Sequence, residues 1–212
     1  MERIRKLSDR LAGKFMLALT AGSSLLVFLM TAALSLKSRP VLAARPLAEI
    51  LFSASWRPLK GDFGFLPFIM GTFWVTGVAL ALAVPVALLA AIYLAEYAPR
   101  SVRALAGPLM DLLAGIPPVV YGVWGVLVIV PLVQERLAPW AGHFSTGYCA
   151  LSAGAVLALM IVPVIVQVST GIFAAIPHEL REAAMALGAT RWQTVKHVLL
   201  RRSLPGVIAA VI

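Results

Sequence analysis

The chain has 212 residues, of which 61% are hydrophobic and 13% are charged, and its mean hydropathy is +0.94. A soluble domain averages about 25% charged residues, so this composition excludes an ordinary water-soluble fold. The formal net charge of +9 fits either a nucleic-acid-binding protein or a membrane protein with its basic residues mainly on one side.

Four apolar runs are each long enough for the roughly 20 residues of a membrane-spanning helix. In chain order they cover residues 15–36, 66–95, 105–133 and 147–176. A fifth run, 204–212, rises only about 13 Å at 1.5 Å per residue, against a hydrocarbon core of about 30 Å. We therefore predict an all-α, polytopic membrane helical bundle whose last helix is cut off within the membrane.

These runs divide the chain into three parts. Residues 1–36 are a tail with an extra N-terminal span, and residues 37–65 are an external segment. Residues 66–212 are the core, with a polar loop at 177–203 before the fifth run. The first run is longer than the 7–15 apolar residues of a signal peptide, which favours an uncleaved span over a cleaved leader.

The basic residues are distributed unevenly between the two sides of the membrane. If every run crosses once, twelve lie on the side of the N-terminus and six lie on the other side. The twelve are Arg3, Arg5, Lys6, Arg10, Lys14, Arg100, Arg103, Arg181, Arg191, Lys196, Arg201 and Arg202; the six are Lys37, Arg39, Arg45, Arg57, Lys60 and Arg136. By the positive-inside rule this bias predicts a cytoplasmic N-terminus, so the charge indicates membrane topology and no nucleic-acid partner.

Proline and glycine are concentrated in the third run, where positions 115–118 read Gly-Ile-Pro-Pro. An internal proline leaves a backbone carbonyl without its helical donor, and in hydrocarbon that carbonyl needs a protein partner or a water-filled cavity. We therefore predict a lined translocation pathway here. The candidate pathway residues are Gly115, Pro117, Pro118, Tyr121 and Gln167. For the last two, the alternative is buried packing with one satisfied hydrogen bond.

Patterns for catalysis and metal binding are missing from the sequence. There is no GxxxxGK[ST] pattern for ATP binding and no visible Ser/His/Asp, Cys/His or paired-carboxylate arrangement. His143, His178 and His197 lie in separate segments, and Cys149 is the single cysteine. We predict no catalytic residue, metal site or cofactor.

The polar loop after the fourth run predicts two short helices. Pro177 suits the first helical position, Glu179 complements the positive end of the helix, and Gly188 suits a left-handed helix end. Thr190 and Gln193 then fit a capping box that opens the second helix.

Small side chains dominate the first of these helices. Ala183 and Ala184 make its surface shallow enough for a groove in a partner protein, where Arg181 and Glu182 can fix its orientation. A helix lying on the lipid surface is the alternative, but the few bulky apolar residues would bury only a modest area. We predict docking into a partner.

The pattern Glu182-Ala183-Ala184, three residues and then Gly188 resembles the EAA loop of binding-protein-dependent ABC-transporter permeases. The resemblance implies part of a type I ABC importer transmembrane fold in the bacterial inner membrane. It also implies that residues 177–188 form the coupling helix, which inserts into a cytoplasmic ATP-binding subunit where ATP is hydrolysed. This chain would then not be an enzyme. The implied coupling residues are Pro177, Glu179, Arg181, Glu182, Ala183, Ala184 and Gly188.

Residues 63–72, 94–99 and 115–125 resemble the phosphate-permease branch of this family, and the subunit type called PstC more than its usual partner. The resemblance implies import of inorganic phosphate. The implied partners are the ATP-binding subunit, a second homologous permease subunit, a periplasmic phosphate-binding protein and the lipid bilayer. A permease for sulfate or molybdate and a non-transporting membrane anchor or regulatory fragment remain as alternatives.

Two departures from the family pattern affect these expectations. Leu200 is followed by Arg201 where the family carries a Leu-Pro pair, and the proline is delayed to Pro205. The four long runs contain neither Arg nor Lys, and Asp111 is their only charged residue. The glycine-arginine motif that the resemblance implies for the following span would lie beyond Ile212.

Overall fold

The computed structural model describes the backbone of residues 2–44 and 46–211 and the side chains of residues 11–43 and 46–211. Within these limits the regular secondary structure is helical apart from one short two-stranded hairpin, which confirms the predicted all-α class. Several residues that enter the predicted charge bias or the fifth run lie outside the described side chains, namely Arg3, Arg5, Lys6, Arg10, Arg45 and Ile212. The chain divides into two units, Met1–Ile69 and Met70–Ile212.

The first unit consists mainly of one long helix, α1 (Glu2–Ala44), which contains the first apolar run and extends it in both directions. Its 43 residues correspond to a rise of about 64 Å, more than a bilayer requires. Residues 11–37 are exposed all around the helix. An apolar helix with no polar face is typical of a membrane span.

The remainder of the first unit is a small folded segment before the second apolar run. It contains helix α2 (Leu47–Phe52), strand β1 (Trp56–Arg57), a 3₁₀ turn and strand β2 (Asp62–Phe63). The Trp56 ring packs edge-on against Phe63 and Phe65, at centroid distances of 6.0 and 5.5 Å. Edge-to-face aromatic pairs of this kind stabilise a segment that has little other core.

Three further helices are long and apolar enough to span a membrane. Helix α3 (Leu66–Ile92) continues through a π-helical turn at Tyr93–Tyr97. Helix α5 (Pro118–Trp140) contains two such turns, and helix α6 (Ala150–Ala174) follows the next loop. With residues Leu11–Ala43 of α1, they make four candidate spans among the described residues.

The third apolar run is not one helix, so the predicted span over residues 105–133 is wrong. Helix α4 (Arg100–Ala114) ends at Gly115, and α5 begins at Pro118. Pro117 has φ −58° and ψ 138°, because a residue that precedes a proline is driven out of the helical region. Helix α4 rises only about 22 Å, too short to span the hydrocarbon core, so α5 is the span at this point in the chain.

Small residues bring α3 and α6 close together in the second unit. Every fourth residue of α3 from position 79 to position 91 is an alanine that is at most 1% exposed. Opposite them, Gly154 of α6 lies so near α3 that an added Cβ would be 2.6 Å from Val78 Cγ1. Small side chains allow such backbone approach, and the resulting dispersion contacts hold membrane helices together. The contact between α3 and α6 contains a hydrophobic cluster whose buried residues are Ala79, Ala83, Ala87, Ala158, Ile165 and Val166.

Candidate functional site

Helix α7 (His178–Ala186) follows α6 after a three-residue connection. Pro177 is its N-cap residue, one position before the helical position predicted for it. Glu179 lies in the first turn, as predicted. Its carboxylate therefore faces the positive end of the helix dipole.

The end of α7 also has the predicted geometry. Gly188 has φ +87°; its N–H donates to the Met185 carbonyl, and the Ala189 N–H donates to the Ala184 carbonyl, at 2.9 and 3.1 Å. This pair of bonds is a Schellman motif, which satisfies carbonyls that the helix end leaves without donors.

The predicted capping box is present two residues later. Gln193 donates its backbone N–H to Thr190 Oγ1 at 3.3 Å, and Thr190 donates its own N–H to Gln193 Oε1 at 2.8 Å. Helix α8 begins here as Arg191–Thr194, passes through a π turn and continues as Leu200–Val211.

Helix α8 is therefore not a short helix followed by a separate span, and the predicted boundary near residue 204 is wrong. Pro205 lies inside the helix, and no residue from 189 to 211 has a positive φ. A Schellman motif needs a left-handed residue, so no Schellman motif interrupts α8 between residues 189 and 211.

We expect Thr190→Ala to lower the free energy of unfolding by about 1 kcal/mol, because it removes the side-chain acceptor of the capping box. Thr190→Ser retains the oxygen and is the matched control. The measurement is thermal unfolding in detergent. Equal melting temperatures for the alanine and serine variants would show that the cap contributes nothing.

Arg181 of α7 points into the protein and is 7% exposed. Its Nε donates to Glu96 Oε1 at 3.0 Å, and its Nη2 lies 2.9 Å from the same oxygen. The guanidinium also donates to two carbonyls at the end of α6, those of Phe173 at 2.8 Å and Ile176 at 2.6 Å. The structure thus places this predicted coupling residue inside the chain, where it caps α6 and forms an ion pair with Glu96.

Several residues of α7 and its C-cap are exposed, and together they combine acidic with apolar side chains. We call this surface the α7 face and define it by Glu179, Glu182, Ala183, Met185 and Leu187, all of which are exposed. Met185 is 45% exposed and Leu187 is 90% exposed. Pro177 and Gly188 are also exposed at the two ends, whereas Ala184 is half-buried.

The sequence did not single out Glu96, Met185 or Leu187. Glu96 is separated from Arg181 by 85 positions, and no local signal connects the two residues. The helical period could not have identified the two apolar residues, because Met185 follows the buried Arg181 by four positions and Leu187 follows the half-buried Leu180 by seven. Only the structure shows that both are exposed.

The predicted pathway residues hold α4 in place. The Gly115 N–H donates to the Asp111 carbonyl at 2.9 Å, and the prolines that follow separate α4 from α5. The Tyr121 hydroxyl donates to the Leu113 carbonyl at 2.9 Å. Gln167 Nε2 of α6 donates to the Asp111 carboxylate. Tyr121 and Gln167 are half-buried and each makes one of these hydrogen bonds, so a role as pathway donors stays a prediction.

Tyr121 and Gln167 line different cavities. Tyr121 lines a largely apolar cavity of about 420 Å³ between α4, α5 and α6. Gln167 lines one of about 230 Å³, together with Arg103 and Thr170. A third cavity of about 340 Å³ lies next to α7, and its charged or polar lining residues are Glu96, Arg103, Thr170, His178 and Arg181. The structure does not bring the predicted donors together around one ligand-sized space.

Comparison with known proteins identifies the family. The family model described as binding-protein-dependent transport system inner membrane component matches residues 83–212. This region contains the Glu96–Arg181 pair, the α7 face and the cap of α8.

Individual relatives agree with the family model. The chain is 40% identical over 167 residues to the probable ABC transporter permease protein YqgH of Bacillus subtilis, covering 77% of this chain and 52% of that protein. It is 35% identical over 211 residues to the phosphate transport system permease protein PstC of Xylella fastidiosa, covering 92% and 65%.

A third relative is the probable phosphate transport system permease protein PstC of Methanocaldococcus jannaschii, 32% identical over 173 residues, with coverage of 76% and 55%. The chain thus spans 52% to 65% of the length of these relatives. With its four candidate spans and the family match over more than half its length, the chain belongs to the binding-protein-dependent transport system inner membrane components and is a multi-pass membrane protein.

Proposed function

We propose that the chain is a translocation subunit of an ATP-driven importer for inorganic phosphate. Relatives 32% and 35% identical to it bear the name phosphate transport system permease protein. The observation that carries the ATP-driven part of the proposal is the α7 face, an exposed surface on a helix that the buried Arg181 anchors to Glu96.

In this proposal α7 is the coupling helix that docks into a groove of a cytoplasmic ATP-binding subunit. Leu187, the C-cap residue of α7, is 90% exposed, and its side chain loses contact with water when a partner covers it. Ala183 lies beside it and allows close approach, while Glu179 and Glu182 provide charged groups at the rim, where they set orientation. The nine residues of α7 form a helix about 13 Å long, the size of a short peptide in a groove.

The membrane topology supports a cytoplasmic position for α7. Helices α1, α3, α5 and α6 are four candidate crossings by length and composition, and α4 is too short to add a fifth. An even number of crossings puts α7 on the same side as the N-terminus. That side carries the majority of the basic residues, so the positive-inside rule makes it the cytoplasm.

A second homologous permease subunit is part of the proposal because the candidate spans α3, α5 and α6 offer few groups that bind an anion. Residues 66–97, 118–134 and 150–174 contain neither Arg nor Lys. A doubly charged oxyanion at membrane depth needs cations or converging donors. A pathway between two subunits, supplied by a periplasmic phosphate-binding protein, meets this requirement with groups from outside these residues.

We expect Leu187→Asp to reduce copurification of the ATP-binding subunit at least about tenfold, because it places a charge in an apolar groove and removes a buried contact. The melting temperature should stay unchanged, since this side chain is exposed in the isolated chain. Lys196→Asp, at an exposed position of α8, is the control. Normal copurification of the Leu187→Asp variant would rule out the α7 face as the docking surface.

The substrate is tested separately from the docking. Uptake of labelled phosphate by vesicles containing the assembled transporter should persist in the presence of excess sulfate or molybdate. Inhibition by either anion at equal concentration would shift the proposal to a permease for that oxyanion.

A further inference from the structure

The Arg181 side chain joins three separate parts of the chain at one point. Its own backbone belongs to α7, and its two carbonyl partners are Phe173 in the last turn of α6 and Ile176 in the connection that follows. Glu96 lies in the π turn that ends α3. The guanidinium is a rigid planar fork with five donors, so it can hold these acceptors in a fixed relative geometry.

The pair is largely removed from solvent. The relative exposure is 9% for the Arg181 side chain and 16% for the Glu96 side chain. The same cavity wall includes Arg103, which donates to the Ala95 carbonyl at 3.0 Å, and His178. The Glu96 carboxylate thus has Arg103, His178 and Arg181 as neighbours in this cavity wall. Of these three, Arg181 binds the carboxylate directly.

An apolar contact lies directly beside the Glu96–Arg181 pair. Leu180, the residue before Arg181, packs against a buried cluster that α3, α6 and α8 share. The cluster consists of Ala91, Ile92, Phe173, Ile176, Val195, Leu199 and Val207. Two consecutive residues of α7 therefore attach it to the ends of α3 and α6, whereas Glu182, Met185 and Leu187 remain exposed.

We propose that Glu96 and Arg181 are positioning residues for coupling: their ion pair ties α7 to the ends of α3 and α6, so that displacement of the docked helix moves both spans together. The inference rests on the proposed function of α7. Apolar packing through Leu180 alone permits sliding, because dispersion contacts have little directional preference. The hydrogen bonds from the Arg181 guanidinium to two carbonyls and one carboxylate prevent this sliding.

The test uses the complete transporter in proteoliposomes, with phosphate uptake and ATP hydrolysis measured in the same vesicles. The variants are Arg181→Lys, which keeps the charge but loses the fork, and Glu96→Gln, which keeps an acceptor oxygen but loses the charge. We expect both to retain the ATP-binding subunit and to hydrolyse ATP within about twofold of the wild type. Phosphate transported per ATP should fall at least about tenfold for Arg181→Lys and less for Glu96→Gln.

Two further variants sharpen the result. Exchanging the charges, Glu96→Arg with Arg181→Glu, restores an ion pair but not the bonds to the α6 carbonyls, so it should recover only part of the coupling. Arg191→Lys changes an exposed arginine in the same way as Arg181→Lys and should couple normally.

The outcomes separate the inference from the proposed function. If both Arg181→Lys and Glu96→Gln transport as much phosphate per ATP as the wild type, the proposed role of the ion pair is wrong, while the transporter assignment stands. Parallel loss of the ATP-binding subunit, hydrolysis and uptake also overturns this role, because the pair would then only maintain the fold. A wild-type protein that binds no ATP-binding subunit contradicts the proposed function, and the inference with it.

Discussion

Gly188→Val is expected to reduce copurification of the cytoplasmic ATP-binding subunit to less than about a tenth of the wild-type amount. Gly188 has φ +87°, and a non-glycine residue in this region costs roughly 1–2 kcal/mol, more when it is β-branched. No atom lies within 4 Å of an added Cβ, so the penalty comes from the backbone alone. The strain is relieved by opening the Schellman motif, which turns α7 away from its docked orientation.

Two controls separate this backbone effect from the added volume. Gly188→Asn should bind nearly as well as the wild type, because asparagine tolerates the left-handed conformation. Gly171→Val introduces the same side chain within α6, where an added Cβ also meets nothing within 4 Å, and should leave binding unchanged. If the valine at position 188 also binds normally, the left-handed turn is not required for docking.

Gly154→Leu is expected to give the largest loss of stability. An added Cβ would lie 2.6 Å from Val78 Cγ1 and 3.1 Å from the Val75 carbonyl oxygen of α3. The carbonyl belongs to the backbone and cannot rotate away, so α3 and α6 have to separate. Overpacking of this kind costs about 1–3 kcal/mol or more, and on the scale of soluble domains each kcal/mol lowers the melting temperature by about 2–4 °C.

The measurement is thermal unfolding of the purified protein in detergent, together with its yield from membranes. Gly77→Leu is the matched control on α3, because an added Cβ there meets nothing within 4 Å. Gly154→Ala should be milder, and Val78→Ala should restore part of its stability by removing the nearest methyl group. Equal melting temperatures for the two leucine variants would show that α3 and α6 do not pack closely at Gly154.

The local geometry of the polar loop was predictable because neighbouring residues determine it. The left-handed Gly188 and the Thr190–Gln193 cap involve hydrogen bonds between residues at most five positions apart. Glu179 likewise lies in the first turn of α7 by its position after Pro177. Such features follow from side-chain chemistry and backbone preference, with no long-range contact required.

The third apolar run shows where hydropathy alone misled. The length of the apolar run predicts one span over residues 105–133, which combines parts of α4 and α5 although Pro117 and Pro118 break helices. In the structure Pro117 precedes the first residue of α5 and Pro118 begins it, so the two prolines separate two helices. Their place in a pathway stays a prediction. Hydropathy measures whether a segment prefers lipid and does not say where its backbone changes direction.

The sequence by itself determined the membrane-embedded all-α class and the local form of α7, because long apolar runs, helix caps and a left-handed glycine act over one or two turns. Only the tertiary structure decided that Arg181 faces Glu96 and the end of α6, that Leu187 is exposed, and that Tyr121 and Gln167 line different cavities. The Glu96–Arg181 pair and the two cavities join residues that lie tens of positions apart. They depend on how the helices pack and rotate against one another, which the pattern along a single helix does not specify.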